Sequence, residues 1–446
     1  MDFSESFKDK KITVMGLGLL GRGVGDVAYL ASSGADLIVT DLKSEEELKE
    51  SLEKLKEFEN ISYTLGEHKK EDFEGRDFIL VGAGVPFDSE FVKHGSEASV
   101  RVTQSAVLFA EISKIPMIGV TGTRGKSTVT QMIYHVLSVI TGEEVILGGN
   151  IRGVSNLQLL KKVKEDSIAV FELDSWQLQG FAWAEISPQI AVFTNFMEDH
   201  MNYYKDDMDV YFKDKANIFK YQEESGVLVT TPEVFARAQK LQDVTLGQEV
   251  VLADSSVIPE DANLAMPGEH NRLNAALAYE ALKAVSVTPE EIFEGLASFP
   301  GVEGRLQLMK TVENVRVYND NNATTPAATV AALEALDLGN KNIVLIAGGS
   351  DKNIDLSPLT EAIEKHCKQV ILIPGSGTDR LVKTLEGSTA INRSIIVECL
   401  EQAFEEARLA AENGDIILFS PAFASFGTYA NEYERNDTFV DIVSKV

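Results

Sequence analysis

Residues 119–128 read Gly-Val-Thr-Gly-Thr-Arg-Gly-Lys-Ser-Thr, an order of glycines, one lysine and hydroxyls suited to nucleotide phosphates. Glycines let backbone N–H groups turn inward around phosphate oxygens, a following helix offers its positive N-terminal end, Lys126 supplies a mobile cation, and Ser127 can ligate magnesium. The run follows an apolar stretch, 115–120, and opens a segment with apolar residues at 129, 132, 133, 136, 137 and 140, the one-sided stripe of a helix packed on a sheet. An ordinary glycine-rich turn lacks that strand before it and that helix after it. Val120 stands where the general phosphate-loop pattern wants glycine, so the loop has the shorter form Gly-Thr-x-Gly-Lys-Ser. Its phosphate-contact candidates are Gly122, Thr123, Arg124, Gly125, Lys126, Ser127 and Thr128.

Two further segments bring groups that could serve a metal. Phe171-Glu172-Leu173-Asp174-Ser175-Trp176-Gln177-Leu178 places a carboxylate at the C-terminal end of a buried strand, and the next strand runs into Thr194-Asn195-Phe196-Met197-Glu198-Asp199-His200. In an open parallel sheet those ends face the ligand crevice, so Glu172 and His200 are expected beside Ser127 and the phosphates. Magnesium usually takes one or two protein carboxylates plus phosphate oxygens, which Glu172 suits. A lone Glu or His in a loop is ordinarily just solvated; convergence on one crevice is what singles these out.

The elements that must position these groups form three doubly wound α/β units. In the first, strand 11–15, the turn Gly16-Leu17-Gly18-Leu19-Leu20-Gly21, helix 22–33 and strand 36–40 ending at Asp41 make a dinucleotide fingerprint. Alone it would point to NAD, yet the same geometry cradles the diphosphate of other nucleotides, so the ligand stays open at this stage. A later strand, 79–82, leads into Gly82-Ala83-Gly84-Val85-Pro86. The second unit carries the phosphate loop and strands 168–173 and 189–194, and the third has strand candidates at 315–318, 342–346, 370–373 and 416–419. The expected fold is therefore three domains, each with a mostly parallel sheet: Rossmann-like over 1–101, P-loop ATPase-like over 102–301 and Rossmann-like over 302–446, with hinge-like Pro300-Gly301 and Gly304 before a movable last domain.

Composition narrows the partners. A formal charge of −28, from 69 acidic against 41 basic residues, argues against a nucleic-acid backbone or an anionic membrane, both of which demand a basic face. Phosphates must then be received by local devices. No stretch is long and apolar enough to span a bilayer, and Met1-Asp2-Phe3-Ser4-Glu5 lacks the regions of a signal peptide, so a cytoplasmic protein is expected; a monomer is the expected state. Cys367 and Cys399 have no metal or redox spacing and read as reduced cysteines of the α/β core.

Taken in chain order, the phosphate loop, Glu172-Leu173-x-Ser175-Trp176-Gln177-Leu178, Thr194-Asn195-x-x-x-Asp199-His200, Lys215 before Ala216-Asn217-Ile218-Phe219, His270-Asn271-Arg272-x-Asn274 and Asn319-Asp320 resemble the motif series of the Mur ligases. With the folylpolyglutamate synthetases these form a superfamily of ATP-dependent enzymes that join a carboxylate to an amino acid, and the resemblance spans essentially the whole chain. It implies an amide ligase of peptidoglycan precursor synthesis, using ATP and two magnesium ions. Lys126, His200 and Lys215 would be its catalytic residues, and Ser127, Glu172, His200 and Lys215 its metal ligands, with Lys215 carrying a carbamate. Asn274, Arg305 and Asp320 would be further ATP contacts. Leu19, Leu20, Gly21, Asp41 and Lys43 would take the UDP part of UDP-N-acetylmuramoyl-L-alanine, and Asn150 and Gln177 would line its pocket. Lys352 and Ser425 would orient D-glutamate. Members that add L-alanine or a diamino acid are the near alternatives; the folate enzymes begin directly with their ATP domain, unlike this chain. An NAD-dependent dehydrogenase or a non-catalytic ATP-binding switch would be the reading from another class. Arg124, Asp174, Gly82, Asn322 and Glu432 depart from the residues usual in the family.

Overall fold

A computed structural model describes all residues except 20, 83, 143, 144, 242, 243, 245, 247, 248, 261, 263, 265 and 338, so the expectation for Leu20 lies outside the described residues, as does the middle of the 82–84 turn. The strands fall into three sheets. The first contains β1 (Lys11–Met15), β2 (Asp36–Asp41), β3 (Ile61–Leu65), β4 (Phe78–Val81) and β5 (Arg101–Thr103), in the spatial order β3-β2-β1-β4-β5, all parallel. The second contains β6 (Met117–Thr121), β7 (Val145–Gly149), β8 (Ile168–Glu172), β9 (Ile190–Phe193), β10 (Val227–Thr230) and β11 (Glu249–Leu252), ordered β11-β10-β9-β6-β8-β7 and again parallel. The third contains β12 (Gln307–Val312), β13 (Val315–Asn319), β14 (Ile343–Ala347), β15 (Cys367–Leu372), β16 (Ser394–Ile396) and β17 (Ile416–Phe419), ordered β12-β13-β17-β14-β15-β16. Only its edge strand β12 runs antiparallel, against β13.

Central strands of the second and third sheets are buried along their whole length, as in Met117–Thr121, Ile343–Ala347 and Ile416–Phe419. Strands covered by helices on both faces need apolar side chains at every position, so these read as continuous runs. Strand order reverses at β1/β4 in the first sheet and around β6 in the second, which opens crevices at those C-terminal ends. The phosphate loop leaves β6 between the ends of β8 and β9. The helix after it, Lys126–Thr141, buries Val129, Met132, Ile133, Val136 and Leu137 against the sheet, while Ile140 ends up exposed.

By compactness the chain divides into two units, residues 1–258 with 273–296, and residues 259–272 with 297–446. The first unit holds two of the sheets, and β5 (Arg101–Thr103) of its first sheet straddles the expected boundary at residue 101. Cys367 is buried, but Cys399 is exposed at the start of helix Leu400–Ala410, so the expectation of two core cysteines holds for one only. Among the described residues, no helix is long and apolar enough to cross a membrane.

Inside the first unit a buried carboxylate joins the two sheets' helices. Asp26, in helix Arg22–Ser32, accepts from Ser155 Oγ (2.6 Å) and from the Leu157 N–H (3.1 Å) at the start of helix Asn156–Leu159. Burial pushes it up from 3.8 to about 6, with those hydrogen bonds and the Arg22 charge opposing. A carboxyl whose folded value lies above its unfolded one contributes stability that is complete below the unfolded value and is lost as pH rises through the folded one. Asp26→Asn should therefore gain stability relative to the parent, by on the order of 1–3 kcal/mol, between about pH 4 and pH 7. Urea-unfolding curves at both pH values check this; an offset independent of pH would mean that Asp26 does not titrate in that window.

Candidate active site

Residues 122–125 are held from the β9 side. Asn195 Oδ1 accepts the Arg124 N–H (2.9 Å), its Nδ2 donates back to the Arg124 carbonyl (3.1 Å), and its own carbonyl accepts the Thr123 N–H (3.0 Å). Thr194 Oγ1 donates to the same Arg124 carbonyl (2.6 Å), and the Met197 N–H donates to Thr123 Oγ1 (3.0 Å). Gly125 opens the helix at φ 80°, a conformation that strains any other residue, and a Cβ there would lie 2.5 Å from Asn274 Oδ1 and displace that amide. Asn274 is thus brought to the phosphate loop, where sequence reasoning had it touching the nucleotide.

Two lysines meet on one carbonyl of this loop. Lys126 Nζ donates to the oxygens of Gly122 (3.0 Å) and Thr123 (3.2 Å), and Lys215 Nζ donates to the same Gly122 oxygen (2.8 Å). Lys215 is 2% exposed, on helix Met208–Lys220, with its ammonium end 5.0 Å from the centre of the Tyr211 ring. Burial first, and then the Lys126 charge, hold its amine well below the ordinary lysine value, with Asp174, Asp199 and Glu172 opposing. Glu172 ends β8 nearly buried, and its carbonyl accepts the Asn150 N–H (2.7 Å), tying β8 to the end of β7.

His200 sits at φ 56° ahead of the short helix Met201–Tyr204, its ring edge-on to Trp176 at 4.9 Å. Burial pulls its imidazole below the ordinary value, Asp199 opposes this, and Lys215 and Lys126 add to it. The ring is therefore neutral near pH 7, with a lone pair available to a metal. Asp214, beside Lys215, is raised by burial despite accepting from Gln179 Nε2 (2.6 Å) and Tyr204 Oη (3.1 Å). Lys126 and Lys215 thus meet on Gly122, with Glu172 and His200 within electrostatic reach of Lys215. Sequence reasoning gave no role to Asn195, Trp176 or Tyr211; Tyr211 is one helical turn before Lys215, a spacing that puts both on one face.

The glycine turn forms two cavities at the β1/β4 switch point. One, of about 540 Å³, is lined by Gly16, Gly18, Asp41, Lys43, His68 and Pro86 among others. Asp41 does not simply face it: Oδ2 accepts the Leu17 and Gly18 N–H groups (2.9 and 3.2 Å) and Oδ1 the Lys43 N–H (2.9 Å), so the carboxylate shapes the turn. The other, of about 140 Å³, is lined by Leu19, Arg22, Gln104, Asn156 and Gln177. Arg22 Nη1 donates to Asn150 Oδ1 (2.6 Å). An arginine can only donate, so the atom facing it must be the amide oxygen, and the Asn150 NH₂ group is left for other partners.

In the second unit, Asp320 follows β13 and accepts from Ser420 Oγ (2.8 Å) and the Leu306 N–H (3.0 Å). Burial pushes it up to about 7, with those bonds and the Arg305 charge opposing. Asn321 is held by a fully buried Arg435, through Nε to Oδ1 (2.8 Å) and Nη2 to the carbonyl (3.0 Å). Asn322 Nδ2 donates to the Glu303 carbonyl at 3.4 Å, Lys352 donates to Thr324 Oγ1 (3.2 Å), and Ser425 is buried at the end of the β17 loop. Glu432 begins the last helix, Glu432–Ser444, and its carbonyl accepts from Asn321.

Three family models match in succession: "Mur ligase MurD-like, N-terminal domain" over residues 10–104, "Mur ligase middle domain" over 120–235 and "Mur ligase, glutamate ligase domain" over 304–423. Full-length relatives agree with them, and the chain belongs to the Mur ligase family. Among its relatives, the UDP-N-acetylmuramoylalanine--D-glutamate ligase of Borreliella burgdorferi (strain ZS7) is 32% identical, with 99% of each chain covered. The enzyme of the same name from Roseiflexus sp. (strain RS-1) is 33% identical, covering 97% of this chain and 98% of its own. In fold the chain is similar to the UDP-N-acetylmuramate-alanine ligase MurC of Thermotoga maritima (TM-score 0.61, 19% identity, 98% and 99% covered). It is also similar to the MurF ligase of Thermotoga maritima, solved with ADP (TM-score 0.58, 15% identity, 99% and 96% covered).

The Asn195 clamp yields a direct test. Asn195→Ala removes both side-chain bonds to Arg124 and should weaken ATP binding on the order of tenfold, as loss of one or two loop-ordering hydrogen bonds does. Calorimetric titration with ATP measures it, and parental affinity in the variant would show that the loop needs no such support.

Proposed function

We propose that this protein is an ATP-dependent ligase that forms the amide between UDP-N-acetylmuramoyl-L-alanine and D-glutamate, a step of peptidoglycan precursor synthesis, and that it works in the cytoplasm. The observation that carries the chemistry is the meeting of Lys126 and Lys215 on the Gly122 carbonyl, beside Glu172 and His200. The choice of substrates rests on the relatives' names and on the glycine turn with its two cavities.

The loop N–H groups and Lys126 hold the ATP phosphates and neutralise charge as the γ-phosphoryl group moves, so catalysis is mainly positioning and electrostatics. The substrate carboxylate bonds to the γ-phosphorus while the bridging bond to ADP breaks, leaving an acyl phosphate. The D-glutamate amine then attacks the acyl carbon, its proton is lost, and phosphate departs with the C–O bond. Asn150 and Gln177 orient the muramoyl substrate at the loop. Lys352 and Ser425 would hold the glutamate carboxylates.

The donor set suits magnesium: one carboxylate (Glu172), a neutral imidazole (His200) and a hydroxyl (Ser127), the remainder being phosphate oxygen and water. Bound there, magnesium would draw electron density from the phosphates. Among the described residues no three His, Cys, Asp or Glu side chains cluster as a metal site. A carbamate on Lys215 would add oxygen ligands and replace a buried cation by an anion, which is why that modification belongs to the reading.

Phosphate release measured with UDP-N-acetylmuramoyl-L-alanine across a panel of amino acids tests the whole reading. D-glutamate alone should support turnover, and a preference for L-alanine or a diamino acid would overturn the assignment. For the carbamate, Lys215→Ala should lose about 10²–10³-fold in turnover, as removal of a key charge-stabilising group does, and added acetate or formate should partly restore it. Lys126→Ala should be equally impaired and unresponsive to carboxylate. Parental turnover of Lys215→Ala in buffer depleted of carbon dioxide would make the lysine merely structural.

A further inference from the structure

Arg22 has no role in any of the motifs above, yet it is the residue through which the glycine turn meets the second sheet. It is the first residue of helix Arg22–Ser32, directly after Gly21 at φ 84°, where a β–turn–helix unit receives a diphosphate on its free N–H groups. Its side chain lines the 140 Å³ cavity together with Gly18, Leu19, Gln104 and Gln177. Of its donors, Nη1 is engaged by Asn150 Oδ1 at 2.6 Å. Lys43, the cation that the motif reading placed at the turn, lies 3.9 Å from the Asp41 carboxylate, which offsets its charge. Gln104, in the same wall, is buried, with its Oε1 turned towards Gly180.

We propose that Arg22 is a diphosphate-recognition residue for the UDP-linked substrate and at the same time the group that orients Asn150. Its guanidinium bridges the turn and the end of β7, so that a diphosphate seated on residues 18–22 meets a fork of N–H donors rather than a point charge. The Asn150 NH₂ group, turned away by the same bond, faces acceptors further along the substrate. In a chain of net charge −28, such a local cation favours the approach of a dianionic bridge to the turn. The inference rests on the UDP-substrate reading of the turn.

Titration calorimetry of the full chain with UDP and with uridine separates the outcomes. The parent should bind UDP more tightly than uridine. Arg22→Gln should lose about 10–100-fold in UDP affinity, the range of a charge-assisted hydrogen bond, and change uridine affinity less than twofold. Arg22→Lys, which keeps the charge without the fork, should recover part of the loss and provides a folded comparison if the Gln variant is unstable. In turnover assays, KM for the UDP substrate should rise in both variants while KM for ATP stays within about twofold of the parent, since the ATP loop is untouched. Equal losses for UDP and uridine, or unchanged UDP affinity in both variants, would reduce Arg22 to a structural clamp and leave the UDP reading standing. A parent that binds neither ligand would remove both.

Discussion

The arrangement at the centre of this protein is a repulsive one. Two lysine ammonium groups share the carbonyl of Gly122, with one of them almost wholly out of water. A carbonyl oxygen is a weak counterweight for two cations, and the acids within electrostatic reach, Glu172, Asp174 and Asp199, compensate only in part. The consequence is a depressed proton affinity at Lys215 and a loop whose cations and helix N-terminus favour the arrival of anions. Such a site is held open by covalent and packing constraints rather than by its own electrostatics, which is why the loop is fastened by Asn195 and Thr194 from the next strand and pressed by Asn274 at Gly125.

Parallel sheets make that fastening possible. With β6 between β8 and β9, three strand ends deliver the loop, Glu172 and the 194–200 segment to one place without long connections. The other two sheets repeat the device, with the glycine turn at β1/β4 and the Asn319–Asp320 and Ser420–Ser425 segments at β13 and β17. At each crevice a buried acid does structural work: Asp26 receives Ser155 and Leu157, and Asp320 receives Ser420 and Leu306. Both are pushed upward by burial, so the positions that organise the crevices also carry proton equilibria near neutrality. Arg435 is the basic counterpart, lowered to about 10 by burial while it locks Asn321.

What the sequence determined on its own is the local chemistry. Loop residues 122–128, the strands that end at Glu172 and Phe193, and the turn at residues 16–21 were legible because glycine, apolar runs and helical spacing leave a mark within a few residues. The edge strands β3, β7, β11 and β16, the short β10 beside β11, and the antiparallel edge strand β12 were not, since short or mixed segments take their conformation from a neighbour's hydrogen bonds. Exposure of Cys399 was equally invisible, because it sits where a helix begins at the surface and no pattern around it says so. Only the tertiary structure could place Lys215 against Lys126, 89 positions apart, turn Asp41 onto the Leu17 and Gly18 amides, and set Arg22 on Asn150 across 128 residues. Those contacts depend on how sheets bring distant strand ends together, and nothing in the spacing of residues along the chain encodes a distance across a crevice.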